Sequence, residues 1–177
     1  MTEKRIAGHH LPRRIARISL LLFLCLALMG QVNAAGEYVV TNMLDSGAGS
    51  LRWAIEQANN HSGPDVIRFH ANLTDKTILL ASDLPPLTDN GTTIDASPNW
   101  VGSWPTGEPG IGLTKGFDST ATVGLQIKGA DNCGIKGLRI EGLQTGILIT
   151  DGATGNTIGA GSPGSRMLIR ACEFAAR

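Results

Sequence analysis

Short apolar stretches recur in the second half of the chain, with no helical segment between them. Residues 124–127 (GLQI) are matched 22 positions later by residues 146–149 (GILI). Recurrence at this spacing is typical of proteins in which one small structural unit stacks on the next. Strands this short, without intervening helices, exclude βαβ units and leucine-rich repeats. The pattern therefore favours a stack of short parallel strands.

These features predict an all-β chain folded as a right-handed, single-stranded parallel β-helix. In such a stack Val, Ile and Leu form inward columns, and Gly and Asn occupy corners with positive φ. A second match pairs residues 135–140 with residues 169–174. We expect periodic coils over residues 123–177, with an inward column that includes the following side chains: Leu125, Ile127, Leu138, Ile140, Ile147, Ile149, Cys172 and Phe174.

A short amphipathic helix is predicted at about residues 50–59. Ser50 is a suitable N-cap, and apolar residues follow it at i, i+3, i+4 and i+7. We expect this helix to cap the first coil, because the backbone groups of an open end would otherwise pair with another chain. The sequence has no second cap. It stops at residue 177 directly after a strand of the core type, so we expect a chain that is truncated at its C-terminus.

Residues 1–34 have the pattern of a cleaved signal peptide. Five basic side chains and one acid accompany an unbroken apolar run at residues 20–29, which is too short for the roughly 20 residues of a membrane span. Small residues at 32 and 34 predict cleavage before Ala35. We therefore expect a mature chain of residues 35–177 that is secreted or displayed on the cell surface, without a membrane span.

The composition of the mature chain narrows its partners. It holds 10 Lys and Arg against 14 Asp and Glu and has no basic tract, which argues against nucleic acid. Cys172 is expected inside and Cys133 near a corner, so the two should not be bridged. His61 and His70 lack a third ligand at suitable spacing, so neither a metal site nor a cofactor is predicted.

A long segment near the mature N-terminus resembles a known family. Residues 41–59 (TNMLDSGAGSLRWAIEQAN) are similar to the N-terminal signature of secreted bacterial β-helix proteins, described by the string Cys-Ser-Leu-Arg-Glu-Ala. Gly49 replaces the Cys and Trp53 replaces the Glu. The resemblance implies a pectate-lyase-like fold but not lyase activity, since this fold hosts lyases, hydrolases, adhesins and stalks. It continues through residues 63–69, 84–88, 93–95 and 156–159.

Two tryptophans are candidates for carbohydrate binding. Trp100 and Trp104 lie in residues 96–116, a stretch rich in Pro and Gly that is predicted to be a long surface loop. Exposed rings there would stack on sugars. The alternative is that they fold back against the helix or Phe117 as a small separate core.

Arg139 and Glu141 are the remaining candidates, because alternation along a strand places both side chains on the same side. An enzymatic interpretation makes Arg139 a base and Glu141 a calcium ligand. The alternative is a solvated ladder of charges on neighbouring coils that includes Lys128, Lys136 and Arg170.

The leading hypothesis for function is non-catalytic. An exported or cell-surface β-helix segment would serve as a binding or adhesion scaffold towards polysaccharide or a cell-surface glycan. No pair of acids has the spacing of a calcium loop or a glycosidase dyad, so no catalytic residue is predicted. One alternative is the N-terminal part of a polysaccharide lyase or glycoside hydrolase, and another is a fragment without independent function.

Overall fold

Short strands account for most of the regular structure. The computed structural model describes residues 34–103, 106–159, 161–170, 172 and 174–176, and these residues belong to one compact unit. Residues 1–33, which hold nearly all of the predicted signal peptide, lie outside that description. One α-helix, α1 (Leu51–Asn60), occurs among the described residues. The strands are β1 (Glu37–Val40), β2 (Val66–Phe69), β3 (Lys76–Leu80), β4 (Thr93–Asp95), β5 (Trp100–Val101), β6 (Glu108–Pro109), β7 (Ile111–Lys115), β8 (Val123–Lys128), β9 (Gly134–Lys136), β10 (Leu138–Glu141), β11 (Thr145–Thr150), β12 (Thr157–Ile158), β13 (Leu168–Arg170) and β14 (Phe174–Ala176).

The strands assemble into several short parallel sheets. Sheet A has the order β1-β2-β4-β9-β12, sheet B the order β3-β7-β10-β13, and sheet C the order β8-β11-β14. From β7 onwards the chain visits sheets B, C and A in strict rotation until β14. Before that, Leu87 makes a single parallel bridge to Ile127 of β8, so residues near 87 pass beside sheet C. The predicted all-β character with one short helix is confirmed.

Isoleucines stack in register along sheet A. Ile67 pairs with Ile94, Ile94 with Ile135, and Ile135 with Ile158. The first three have no exposed surface. A side chain at each equivalent position removes apolar area from water and packs on the one above and below it, which contributes roughly 1.5–3 kcal/mol per residue.

The recurrence at 22 residues corresponds to real neighbours. Leu125 pairs with Ile147 and Ile127 with Ile149, between β8 and β11. Of the predicted inward side chains, Leu125, Ile127, Leu138, Ile140 and Ile147 are buried, whereas Ile149 is half-buried against the core. Asn132, at φ +57°, occupies a corner as predicted.

The second predicted match is wrong. Ile140 pairs with Ile169, and not with residue 174, in the alignment of β10 with β13. Residues 159–167, which include a 3₁₀ turn at Pro163–Ser165, lengthen the connection before β13 and shift the register. Phe174 pairs instead with Thr145 of β11, and its side chain lies outside the description.

The two cysteines are free, as expected, but their predicted environments are reversed. Cys133 is buried and Cys172 is half-buried. Cys133 follows the corner residue Asn132, and the alternation after that corner turns its side chain inwards. Cys172 does not continue the inward column, because the shifted register places Ile169 over Ile140.

Helix α1 forms where the pattern predicts it. The side chain of Ser50 accepts a hydrogen bond from the backbone N–H of Trp53, 3.2 Å away, which satisfies one of the free donors of the first turn. The buried face consists of Leu51, Ala54, Ile55 and Ala58 and packs on β1 and β2.

Arg52, from the segment that carries the family resemblance, fastens α1 to two loops. Its guanidinium pairs with Asp45 at 2.9 Å and donates to the carbonyls of Ser82 (3.0 Å) and Asp83 (2.7 Å). The Asp45 carboxylate also accepts the N–H of Ala81. The arginine of this motif is therefore a structural clamp at the helix.

Residues 96–116 are not the long surface loop that we predicted. They contain the hairpin strands β5 and β6 and the sheet B strand β7, whose Ile111 and Leu113 are fully buried. Pro and Gly dominate the connections of this segment, so its composition concealed a core strand that holds only three apolar or small positions in a row.

Candidate functional site

A two-stranded antiparallel hairpin is inserted at the corner between β4 of sheet A and β7 of sheet B. Val101 pairs with Glu108, which places Trp100 and Glu108 on the two arms of the hairpin. Its base is held by Asn99, which is 1% exposed and whose amide donates to the hydroxyl of Thr74 at 3.0 Å. The hairpin is thus fixed to the preceding corner between the same two sheets.

Arg139 and Glu141 lie on the outer face of sheet B, as alternation along β10 predicts. Gly112 is the neighbour of Arg139 on β7. A Cβ atom at Gly112 would lie 3.3 Å from a terminal nitrogen of Arg139 and 2.7 Å from the hydroxyl of Thr77. The glycine therefore leaves room for the guanidinium, which extends to Thr77 at 3.4 Å and is 15% exposed.

Two carboxylates and two guanidinium groups form one network around this position. Glu108 of the hairpin pairs with Arg139 at 3.5 Å and with Arg170 at 3.4 Å. Glu141 pairs with Arg139 at 3.8 Å and also with Arg170. The hydrogen bond from Glu141 raises the pKa of Arg170, so both arginines stay cationic. The four charges cancel and hold the hairpin to sheet B.

An open cavity of about 250 Å³ lies beside the network. Trp100 forms part of its wall, and the indole Nε1 is buried against Gly107 without a hydrogen-bond partner. The polar edge of the ring is therefore covered, and the cavity receives its carbon part. The lining residues are Trp100, Thr106, Gly107, Glu108, Pro109, Arg166, Met167, Leu168 and Arg170.

Three of the four candidate residues from the sequence meet here. Trp100 borders the cavity, and Arg139 and Glu141 belong to the charge network at its edge. Trp104 lies outside the described residues. The alternative of an aromatic core with Phe117 fails for Trp100, because Phe117 is 97% exposed.

Sequence analysis missed Glu108 and misplaced Arg170. Glu108 stands in a segment without periodicity, so only the hairpin pairing brings it to Arg139. Arg170 was grouped with Lys128 and Lys136, but these pair elsewhere, with Asp151 and Asp95. The register of β10 with β13, in which Glu141 faces Arg170, is the signal that would have placed it.

The geometry suits binding better than proton transfer. Arg139 contacts two carboxylates, and a guanidinium in proteins keeps its proton, so it cannot serve as a base. Its positive charge also favours the ionised form of Glu108 and Glu141, whereas a glycosidase needs one carboxyl that holds a proton. No group of three or more His, Cys, Asp or Glu suited to a metal ion occurs in the described part of the chain.

A second cavity of about 230 Å³ lies at the corner around Asn132 and Cys133, between residues of β9 and β12. Burial raises the pKa of the Cys133 thiol, which disfavours the thiolate that a nucleophile requires. Its described lining has no aromatic ring. The cavity at Trp100 is therefore the stronger candidate for ligand binding.

A scan against models of known protein families gives no match to this chain, and a search of curated proteins finds no similar sequence. Among the described residues, no helix has the length and apolar character needed to cross a membrane.

Proposed function

We propose that sheets A, B and C are the three faces of one right-handed parallel β-helix. The strict rotation of the chain through the sheets from β7 to β14 supports this arrangement. All three sheets are parallel, and connections between parallel strands are right-handed in almost all proteins. The isoleucines in register along sheet A then form one inward column of the coil.

We propose further that the chain is exported and acts as a non-catalytic binding scaffold for polysaccharide. The observation that carries this proposal is the tryptophan wall of an open cavity beside a neutralised network of carboxylates and guanidinium groups. The C–H groups of a sugar pack on the negative face of an indole ring. Its hydroxyl groups can donate to the carboxylates and accept from the guanidinium groups.

The size of the cavity indicates how a polymer would bind. At about 250 Å³ it is slightly below the roughly 300–1,000 Å³ of sites for drug-sized ligands. Only a short part of a glycan chain would enter it, and the remainder would lie along the outer face of sheet B. Binding at one such site is weak, so a chain with many equivalent sugars gains from repeated contacts.

The proposal is tested by binding of the exported protein to a panel of neutral and uronate polysaccharides. We expect Trp100→Ala to weaken binding on the order of tenfold or more, the usual loss when an aromatic anchor is removed. The matched control is Phe117→Ala, which removes an almost fully exposed ring away from the cavity and should leave the affinity unchanged.

Two results would overturn the proposal. Equal losses for Trp100→Ala and Phe117→Ala, or no binding to any polymer, would remove the cavity as the binding site. Release of unsaturated products from uronate polymers in the presence of calcium, followed by absorbance, would instead establish a lyase.

A further inference from the structure

Asp65 is a fully buried carboxylate at the start of sheet A. It has no exposed surface. One oxygen, Oδ1, accepts the backbone N–H of Gly36 at 2.8 Å and lies 2.8 Å from Nδ1 of His61. The other oxygen, Oδ2, is buried and has no hydrogen-bond partner. A buried carboxylate oxygen without a partner is costly, because it has lost water without replacement.

A second carboxylate lies close to it. Oδ2 of Asp89 is likewise buried and unpartnered. Burial and the negative charge of Asp65 together raise the pKa of Asp89, and they also raise the pKa of Tyr38. Of the side chains that interact with the two acids here, His61 alone can carry positive charge. The site therefore has an excess of negative charge and lacks a cation.

The chain itself brings a nitrogen to this place. A Cβ atom at Gly36 would lie 2.5 Å from Oδ1 of Asp65, so glycine permits the close approach. The nitrogen of Ala35 is one residue earlier, roughly 3.5 Å from that of Gly36. Ala34 and Ala35 are both exposed, which leaves the bond between them open to a peptidase.

We propose that the α-ammonium group formed at Ala35 by signal-peptide removal pairs with Oδ2 of Asp65. The inference rests on the proposed export of the chain. Hydrolysis adds water across the Ala34–Ala35 bond, leaving a carboxylate on Ala34 and a protonated amine on Ala35. The neutral peptide N–H becomes a cation with three donors, and rotation at Ala35 brings it to the buried oxygen. Processing would thus complete the first strand of sheet A.

The test uses the full chain, exported by a bacterial host through its own signal and purified after processing. N-terminal sequencing establishes whether the product begins at Ala35. The α-amine is then acetylated at neutral pH, and its reaction rate is followed by mass spectrometry of the N-terminal peptide. Only the unprotonated amine reacts, so an ammonium group held by Asp65 should react at least tenfold more slowly than that of Asp65→Asn.

A second variant guards against misfolding of Asp65→Asn. Two residues inserted after Ala34 move the new N-terminus away while Asp65 is retained, and its amine should also react at least tenfold faster than that of the wild type. Gly36→Ala should accelerate the reaction too, whereas Gly161→Ala, with nothing within 4 Å of the added atom, should not.

Equal rates for wild type, Asp65→Asn and the insertion variant would overturn the pairing. A product that begins elsewhere than Ala35 would overturn it as well. Neither result depends on glycan binding, so the proposed function would stand or fall separately.

Discussion

Gly137 and Gly152 have almost the same backbone conformation in different surroundings. Their φ angles are +74° and +75°, a region in which an L-residue costs roughly 1–2 kcal/mol. A Cβ atom at Gly152 would meet nothing within 4 Å. At Gly137 it would lie 2.6 Å from the carbonyl carbon of Ala96, so the backbone of the neighbouring corner would have to move.

We therefore expect Gly137→Ala to destabilise the protein clearly more than Gly152→Ala. The control should lose about 1 kcal/mol from backbone conformation alone, and the difference between the two variants reports the clash. Urea denaturation of both variants measures it. Equal midpoints would mean that the corner at residue 96 yields without cost.

Asp95 is held by hydrogen bonds at the same corner. Burial alone would raise the pKa of this carboxyl, but hydrogen bonds from Ser97 and Lys136 outweigh burial and lower it. The Ser97 hydroxyl donates at 2.6 Å, and the Lys136 ammonium lies 3.2 Å away. A lowered pKa in the folded state means that the stabilisation is complete at neutral pH and is lost as the pH falls through that value.

Asp95→Asn should accordingly be less stable than the wild type by about 2 kcal/mol at pH 7. The difference should shrink below about pH 4, where the unfolded wild-type carboxyl takes up its proton. Unfolding free energies between pH 3 and pH 7 measure this. The exposed Asp118→Asn serves as the control and should follow the wild type throughout, and a constant difference for Asp95→Asn would contradict the linkage.

The candidate site illustrates which residues can be predicted singly. Alternation along one strand suffices to place Arg139 and Glu141 on the same face. Glu108 reaches them only through the pairing of β5 with β6, and Arg170 only through the register of β13. Both depend on connections whose length no local pattern determines.

At the scale of elements, α1 was predictable because every signal that forms it is local. Its N-cap and its four buried side chains lie within nine consecutive residues, Ser50 to Ala58. The 96–116 segment was not predictable in this way. Strand β7 is buried because β3 and β10 flank it in sheet B, and neither partner is near it in sequence.

Replacing Ile55 by Asp should show that α1 covers the core. The side chain has no exposed surface, so the charge would be buried without a partner at a cost of several kcal/mol. The exposed Glu56→Asp, one residue away, should change little. Thermal unfolding and light scattering compare the two variants, with aggregation expected for Ile55→Asp. Wild-type solubility and midpoint for Ile55→Asp would show that the helix lies free of the core.

At the scale of the whole molecule, stability is distributed along columns. Ile135 is fully buried between Ile94 and Ile158. Ile158, one strand further along sheet A, is half-exposed. The two residues have the same chemistry and neighbouring positions, so they differ mainly in how completely they are enclosed.

We expect Ile135→Ala to lower the free energy of unfolding by about 3–4 kcal/mol and Ile158→Ala by roughly half as much or less. Removing buried methyl groups leaves a cavity only where neighbours cannot move into the space. Denaturant titration of the two variants measures the difference. Equal losses would indicate that β12 is covered as fully as β9.

The order of the molecule was only partly predictable for the same reason. The spacing of 22 residues identified true neighbours in β8 and β11, because no insertion separates them. The match at 34 residues compared similar letters across residues 159–167, and the real pairing of Ile140 with Ile169 spans 29. Apolar patterns report which side chains turn inwards, while insertions determine which strands become neighbours.

The corners between sheets A and B differ widely in length. Gly137 alone joins β9 to β10, whereas residues 70–75, 96–110 and 159–167 make the equivalent connections elsewhere. The strands on either side nonetheless keep their partners in register. Surface chemistry at this edge is thus decoupled from the core, so the hairpin could be exchanged for another recognition loop, by mutation over generations or by a protein engineer, without redesigning the scaffold that carries it.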